Sequence, residues 1–208
     1  STNIGTNTGT PAVPSQRPDS ELPRQRFDDV PQNVWFASGV QFATEQGLFT
    51  GVSANEFAPY DPMTRAMLVA VLHRLAGSPS VSGKMPFTDV EADTWYTEAV
   101  LWAYQNGIVA GTSDTTFEPL SNITREQIVA IFSRYTAKFA PDNAKAAAEL
   151  TAFADSASVS DWAVNDMKWA VAQKIISGSE NAGKFYLLPQ DNASRAQVAT
   201  ILMQYCAL

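Results

Sequence analysis

The chain has 208 residues, 45% of them apolar, a net charge of −7 and an isoelectric point near 4.6. That is enough apolar material for a core, whereas an acidic chain with only 14 scattered Lys and Arg lacks the basic face that grips phosphates, so nucleic acid is excluded as a partner. No run approaches the roughly 18 apolar residues of a membrane span, Ser1-Thr2-Asn3 does not open a basic-then-apolar signal sequence, and the lone Cys206 can form neither an internal disulfide nor a metal cluster.

Residues 1–26 are rich in Thr, Asn, Gly, Pro and Ser and almost devoid of large apolar side chains. Such a stretch cannot repay the entropy of ordering, so it is expected to be a disordered linker. A linker at the head implies cargo upstream, and the chain is expected to be the C-terminal module of a larger exported protein.

From Phe27 onward the chain repeats itself. Phe27-Asp28-Asp29-Val30 recurs as Phe87-Thr88-Asp89-Val90 and, more loosely, as Phe153-Ala154-Asp155-Ser156. A tryptophan follows each (Trp35, Trp95, Trp162), and sixteen residues beyond it stands a glycine (Gly51, Gly111, Gly178). Then come Phe57-Ala58-Pro59, Phe117-Glu118-Pro119 and Leu187-Leu188-Pro189, with Arg65, Arg125 or Arg195 six residues after the proline. The spacing divides the chain into repeats at 27–77, 87–137 and 153–208, joined by linkers at 78–86 and 138–152, with an insertion around Glu180 to Phe185.

Each repeat reads as helix, loop, helix, so the fold class is all-α. The first helix runs from about Trp35 to Gln46, with Trp35, Gly39 or Val40, and Ala43 on one face; Trp95, Ala99 and Ala103 repeat the pattern. Gly47 and Gly107 are suited to close these helices as left-handed caps, a role Lys174 fills poorly in the third repeat. The second helix starts at Thr64-Arg65, Thr124-Arg125 or Ser194-Arg195. A hydroxyl residue followed three places later by Gln is a capping-box signature, present at Thr124 with Gln127 and Ser194 with Gln197 but broken by Met67 in the first repeat. A further short helix is expected in the Ala144 to Leu150 stretch. A two-helix unit of this size has a marginal core alone, so the three units are expected to share one, as a solenoid or a closed ring.

The arginines are the odd part. Each sits at the first helical position, where exposed N–H groups already carry about half a positive charge and a cation is misplaced by roughly 0.3 to 1 kcal/mol. Three such arginines suggest an anion beside them, or an ion pair with the repeated Asp29, Asp89 or Asp155. The tryptophans, each heading an apolar face, read first as partly buried core and second as ligand platforms. The glycines read as turns first and as points of close backbone approach to a ligand second. No catalytic constellation accompanies them: His73 has no Gly-x-Ser-x-Gly elbow, no His or Cys cluster offers a metal site, and no Gly-rich phosphate loop precedes a helix. The chain is therefore expected not to be an enzyme and to carry no cofactor; a hydrolase sharing the repeat is a remote alternative.

The sequence of Phe-x-Asp-Val, Trp, Gly-(three residues)-Gly, Phe-x-Pro and Thr-Arg-(Ala or Glu)-(Glu or Gln) resembles the S-layer homology domain, in triplicate, from Phe27 to Tyr205. The resemblance implies a pseudo-threefold arrangement with a central helical bundle, three two-helix prongs and grooves between repeats. It also implies a monomeric, extracellular module that anchors an exported protein to bacterial secondary cell-wall polysaccharide, often pyruvylated N-acetylmannosamine. By motif position, Arg65, Arg125 and Arg195 are implied to hold the anionic ketal. Trp35, Trp95, Trp162, Gly51, Gly111, Gly178, Asp29, Asp89 and Asp155 are the other candidate site residues. A pyruvyl ketal supplies a carboxylate, and a guanidinium beside helix N–H groups is suited to it. The departures at Met67, Glu126 and Lys174, and the extra residue between Asp155 and Trp162, imply unequal grooves. The competing reading is a helical-repeat protein-interaction scaffold whose arginines are internal staples.

Overall fold

The computed structural model describes residues 27–208; the linker expected over residues 1–26 lies outside them. Six helices dominate: α1 (Ala37–Glu45), α2 (Arg65–Leu75), α3 (Thr97–Gln105), α4 (Arg125–Phe139), α5 (Val164–Ala172) and α6 (Arg195–Tyr205). The fold is mostly helical rather than all-α. The insertion in the third repeat folds into a two-stranded antiparallel hairpin, β1 (Ser179–Asn181) and β2 (Lys184–Tyr186). Its two turn residues, Ala182 and Gly183, both have positive φ (50° and 74°), the geometry a two-residue hairpin turn requires. The helix expected over Ala144 to Leu150 is absent. A 3-10 turn at Pro141–Lys145 follows α4 instead, and residues 146–150 are irregular.

The second helix of each repeat starts where the sequence signature places it. The Ser or Thr side chain accepts the third N–H in all three, and the reciprocal Gln bond completes a capping box at α4 and α6 but not at α2. The first two N–H groups are satisfied from another repeat. Arg65 N donates to Ser121 O and Ala66 N to Pro119 O; Arg125 and Glu126 use Asp191 and Pro189; Arg195 and Ala196 return to Asp61 and Pro59. Between these starts runs a closed triangle of backbone bonds: Met63 N to Ala193 O at 2.8 Å, Ala193 N to Ile123 O at 3.0 Å, and Ile123 N to Met63 O at 2.9 Å. All three residues are completely buried. Of the two expected ways to share a core, the chain uses closure.

Helix pairing follows the same circuit. α2 packs on α3 and α4 on α5, each a contact between sequential repeats, while α1 of the first repeat packs on α6 of the third. At that closing contact a Cβ on Gly39 would lie 2.7 Å from the Thr200 backbone, so the two helices meet at contact distance of their main chains. One core runs through all three repeats, with Phe36, Phe57, Phe117, Phe132 and Leu72 among its fully buried members. His73 is part of it, 8% exposed and bonded to Pro79 O at 2.9 Å. Among the described residues no helix is long and apolar enough to cross a membrane, and no cluster of His, Cys, Asp and Glu has the spacing of a metal site.

Candidate functional site

The repeated aspartates decide where the arginines go. In each repeat one carboxylate accepts two consecutive backbone N–H groups of the Phe-x-Pro segment: Asp29 from Phe57 and Ala58, Asp89 from Phe117 and Glu118, Asp155 from Leu187 and Leu188, all at 2.7 to 2.9 Å. The middle residue is held in the left-handed region, with φ of 56° at Ala58, 56° at Glu118 and 52° at Leu188. That conformation costs a side-chain-bearing residue roughly 1–2 kcal/mol and persists because the two charge-assisted bonds fix it. It turns the preceding carbonyl toward the neighbouring repeat, where an arginine takes it: Arg195 Nε to Phe57 O, Arg65 Nε to Phe117 O and Arg125 Nε to Leu187 O, each at 2.8 Å.

Each Asp and Arg are therefore joined through a single peptide unit, one bonding its N–H and the other its C=O. The direct ion pair expected as one role for the arginines is not formed. Among the described residues the ion pairs are Lys145–Asp142 and Lys168–Glu149. The arginines are 6–7% exposed, and burial, the largest effect, lowers the affinity of each guanidinium for its proton; Glu118 and Asp89 oppose this at Arg65, Asp191 and Asp155 at Arg125, and Asp61 and Asp29 at Arg195. The guanidinium carbon of Arg65 lies 4.6 Å from the Phe117 ring centre, and that of Arg195 4.6 Å from Phe57. Leu187 gives Arg125 no such ring.

The expectation that free helix N–H groups assist in holding an anion does not survive, because the carbonyls of the adjacent repeat already accept them. The far ends of the three guanidiniums are held unequally. Arg195 Nη2 donates to Thr50 O at 2.8 Å, Arg65 Nη2 makes a long 3.4 Å contact with Ala110 O, and Arg125 has no Nη partner among the described residues.

Arg65 opens into a groove of about 420 Å³ to which all three repeats contribute. Its floor is the loop Val109–Thr112, its wall the face of α4 carrying Gln127, Ala130, Ile131 and Arg134, and its rim Trp162 from the third repeat. The size lies within the range of small-molecule sites. The tryptophans, read as partly buried core, are 61% (Trp35), 58% (Trp95) and 55% (Trp162) exposed. The following residue, Phe36, Tyr96 or Ala163, takes the buried place instead, and Trp35 and Trp95 lie edge-on to that neighbour.

Gly111 is at the groove, yet its lack of a side chain serves the loop itself. A Cβ there would lie 2.2 Å from Ser113 O and 2.7 Å from the Phe87 ring, and Gly51 is enclosed in the same way by Ser53 O and Phe27. Arg134, which also lines the groove, lies outside the repeated motif. Its signal is an arginine nine residues after the first, at Arg74 and Arg134, replaced by Gln204 in the third repeat. Arg74 donates to Leu48 O at 2.9 Å.

A family model described as the S-layer homology domain matches residues 26–66, 86–129 and 152–199, the three units that carry this geometry. The chain belongs to the S-layer homology family. Its S-layer homology repeats are similar to a segment of an endoglucanase from Bacillus sp. (strain KSM-635), 31% identical over 85% of the chain and 18% of that protein. They are also similar to parts of an amylopullulanase from Thermoanaerobacterium thermosulfurigenes (30%, over 85% of the chain and 9% of that protein) and of a surface-layer 125 kDa protein from Lysinibacillus sphaericus (32%, over 78% and 13%). The chain thus spans less than a fifth of each of these relatives. Two carry enzyme names and one does not, so the shared segment is a module that accompanies different activities.

Proposed function

We propose that the chain is a non-covalent wall-anchoring module that holds an exported protein at the bacterial cell surface by binding anionic secondary cell-wall polysaccharide, of the pyruvylated N-acetylmannosamine type, between its repeats. The repeats are related by a pseudo-threefold arrangement, with α2, α4 and α6 as the central bundle and the pairs α1/α6, α2/α3 and α4/α5 as three prongs. The threefold recurrence of the backbone triangle and of the Asp–peptide–Arg link supports this arrangement.

The observation that carries the ligand reading is the Arg65 groove. A guanidinium anchored at its Nε end, a second from Arg134, and a half-exposed indole surround one cavity. A sugar bearing a carboxylate needs those elements: a fork for the anion and an aromatic face for the ring. The S-layer homology match and the surface-layer name of one relative support the location at the cell surface.

The test is co-sedimentation with purified sacculi before and after extraction of the secondary polymer. Binding is expected to disappear on extraction and to fall in an Arg65→Ala, Arg125→Ala protein whose circular dichroism shows it folded. Binding that survives both overturns the proposal. The Nε–carbonyl bonds also favour a second reading, an interaction scaffold in which arginine is a staple alone. It predicts that a pyruvylated N-acetylmannosamine glycoside leaves the melting temperature unchanged, whereas the anchor reading predicts a rise.

A further inference from the structure

After the arginine, the first and third repeats carry Ala66 and Ala196, both completely buried; the second carries Glu126, only 3% exposed. A buried carboxylate needs partners, and all three of this one's come from the third repeat. Glu126 Oε2 accepts from Ser160 N at 3.0 Å, and Oε1 accepts from Ser160 Oγ at 2.8 Å and from Gln190 Nε2 at 2.9 Å. Gln190 Nε2 also lies 3.1 Å from Ser160 Oγ, closing a compact network.

Ser160 precedes the 3-10 turn Asp161–Ala163, whose middle residue is Trp162. The corresponding turn in the second repeat is held by its own hydroxyls, Thr97 Oγ1 lying 3.0 Å from Thr94 N and 2.7 Å from Thr94 Oγ1. The third repeat has Val164 in place of Thr97, and an extra residue between Asp155 and its tryptophan, so its turn lacks that internal tie. Ser160 makes no cap bond of its own. The turn is fastened from outside, by the start of the helix that forms the wall of the Arg65 groove.

We propose that Glu126 is a positioning residue that fixes Trp162 on the rim of the Arg65 groove and so sets the glycan affinity of that groove; the affinity half rests on the anchoring reading. Alanine stands at this place in the other two repeats, so Glu126→Ala is compatible with the helix start. The chain has five tryptophans. Incorporating 5-fluorotryptophan gives each a fluorine NMR line, and Trp162→Phe identifies the one that reports this turn.

In the ligand-free protein, Glu126→Ala should move the Trp162 line and leave those of Trp35 and Trp95 in place. On titration with a synthetic pyruvylated N-acetylmannosamine glycoside, the Trp162 line should saturate at about tenfold higher concentration, the equivalent of one lost charge-assisted hydrogen bond. A folded Glu126→Ala protein with an unmoved Trp162 line, or with unchanged saturation at that line, overturns the proposal. Should that variant not fold, Ser160→Ala removes one partner while leaving the carboxylate two others, and must move the same line. A glycan that shifts no tryptophan line in the unsubstituted protein refutes the anchoring reading, while the ligand-free comparison still decides the positioning role.

Discussion

Asp89→Asn tests the link between the repeats most directly. The carboxylate accepts Phe117 N at 2.8 Å and Glu118 N at 2.7 Å, and the peptide it fixes presents Phe117 O to Arg65 Nε. Asparagine is nearly isosteric but keeps one acceptor and turns an NH₂ toward the other N–H. One charge-assisted bond is lost and the other becomes a neutral one. With such bonds contributing about 1.5–3 kcal/mol each, and one of the two solvent-exposed, the expected loss is about 2 kcal/mol. In a domain of this size that lowers the melting temperature by about 4–8 °C. The check is a urea midpoint at unchanged slope, together with NMR exchange of the arginine Nε–H groups. Arg65 Nε–H should lose protection, while Arg125 and Arg195, fixed by Asp155 and Asp29, keep theirs. A stability change below about 0.5 kcal/mol with all three Nε–H groups protected refutes the reasoning.

Lys174 stands at φ +59°, where Gly47 and Gly107 stand at +69°; Lys174→Gly should stabilise the protein by about 1 kcal/mol, read as a rise of about 2–4 °C, and an unchanged or lower melting temperature contradicts it. Burial raises Cys206 from 9.0 to about 11 and Tyr205 from 10.0 to about 12, and Tyr135 is raised as well. The native state therefore holds these protons more tightly than the unfolded chain, so their contribution is complete below pH 9.0 and is lost as pH climbs through the raised values. Melting temperature against pH should show the decline beginning earlier in the original protein than in Cys206→Ser. Deleting residues 153–208 removes α6 from α1 and Ala193 from the backbone triangle, and should leave a chain without a cooperative thermal transition.

The repeats, the helix starts and the missing capping-box partner at Met67 were legible in the sequence because they are local: hydroxyl, arginine and glutamine act within one turn. What the aspartates do was not legible. Asp89 and Phe117 are far apart along the chain, and only the left-handed Glu118, a residue type that rarely adopts that conformation, brings the carbonyl round to Arg65. The exposure of the tryptophans was hidden for a related reason. Helical periodicity places Trp35 on the apolar face, but α1 begins at Ala37, so the ring belongs to the turn before the helix and escapes its face. The hairpin was hidden because β1 and β2 are three residues each and almost wholly exposed, with no alternating pattern to mark them.

Under the proposed anchoring function the two readings the sequence left open are compatible, because one arginine side chain has two ends. At Arg125 the Nε end is fixed to Leu187 O, and the Nη groups have no partner among the described residues. A planar fork does both tasks; an ammonium on a flexible stem does one at a time. Arg125→Lys preserves net charge and so separates charge from geometry. If the side chain acted only as a counter-charge, glycan binding and melting temperature would both be retained. Divided between staple and ligand, the lysine must abandon the carbonyl or the glycan. The expected result is a loss of about 1.5 kcal/mol in stability or about tenfold in affinity for the glycan, measured by calorimetry on the same sample. A lysine variant unchanged in both would show that the guanidinium fork at this position serves neither task.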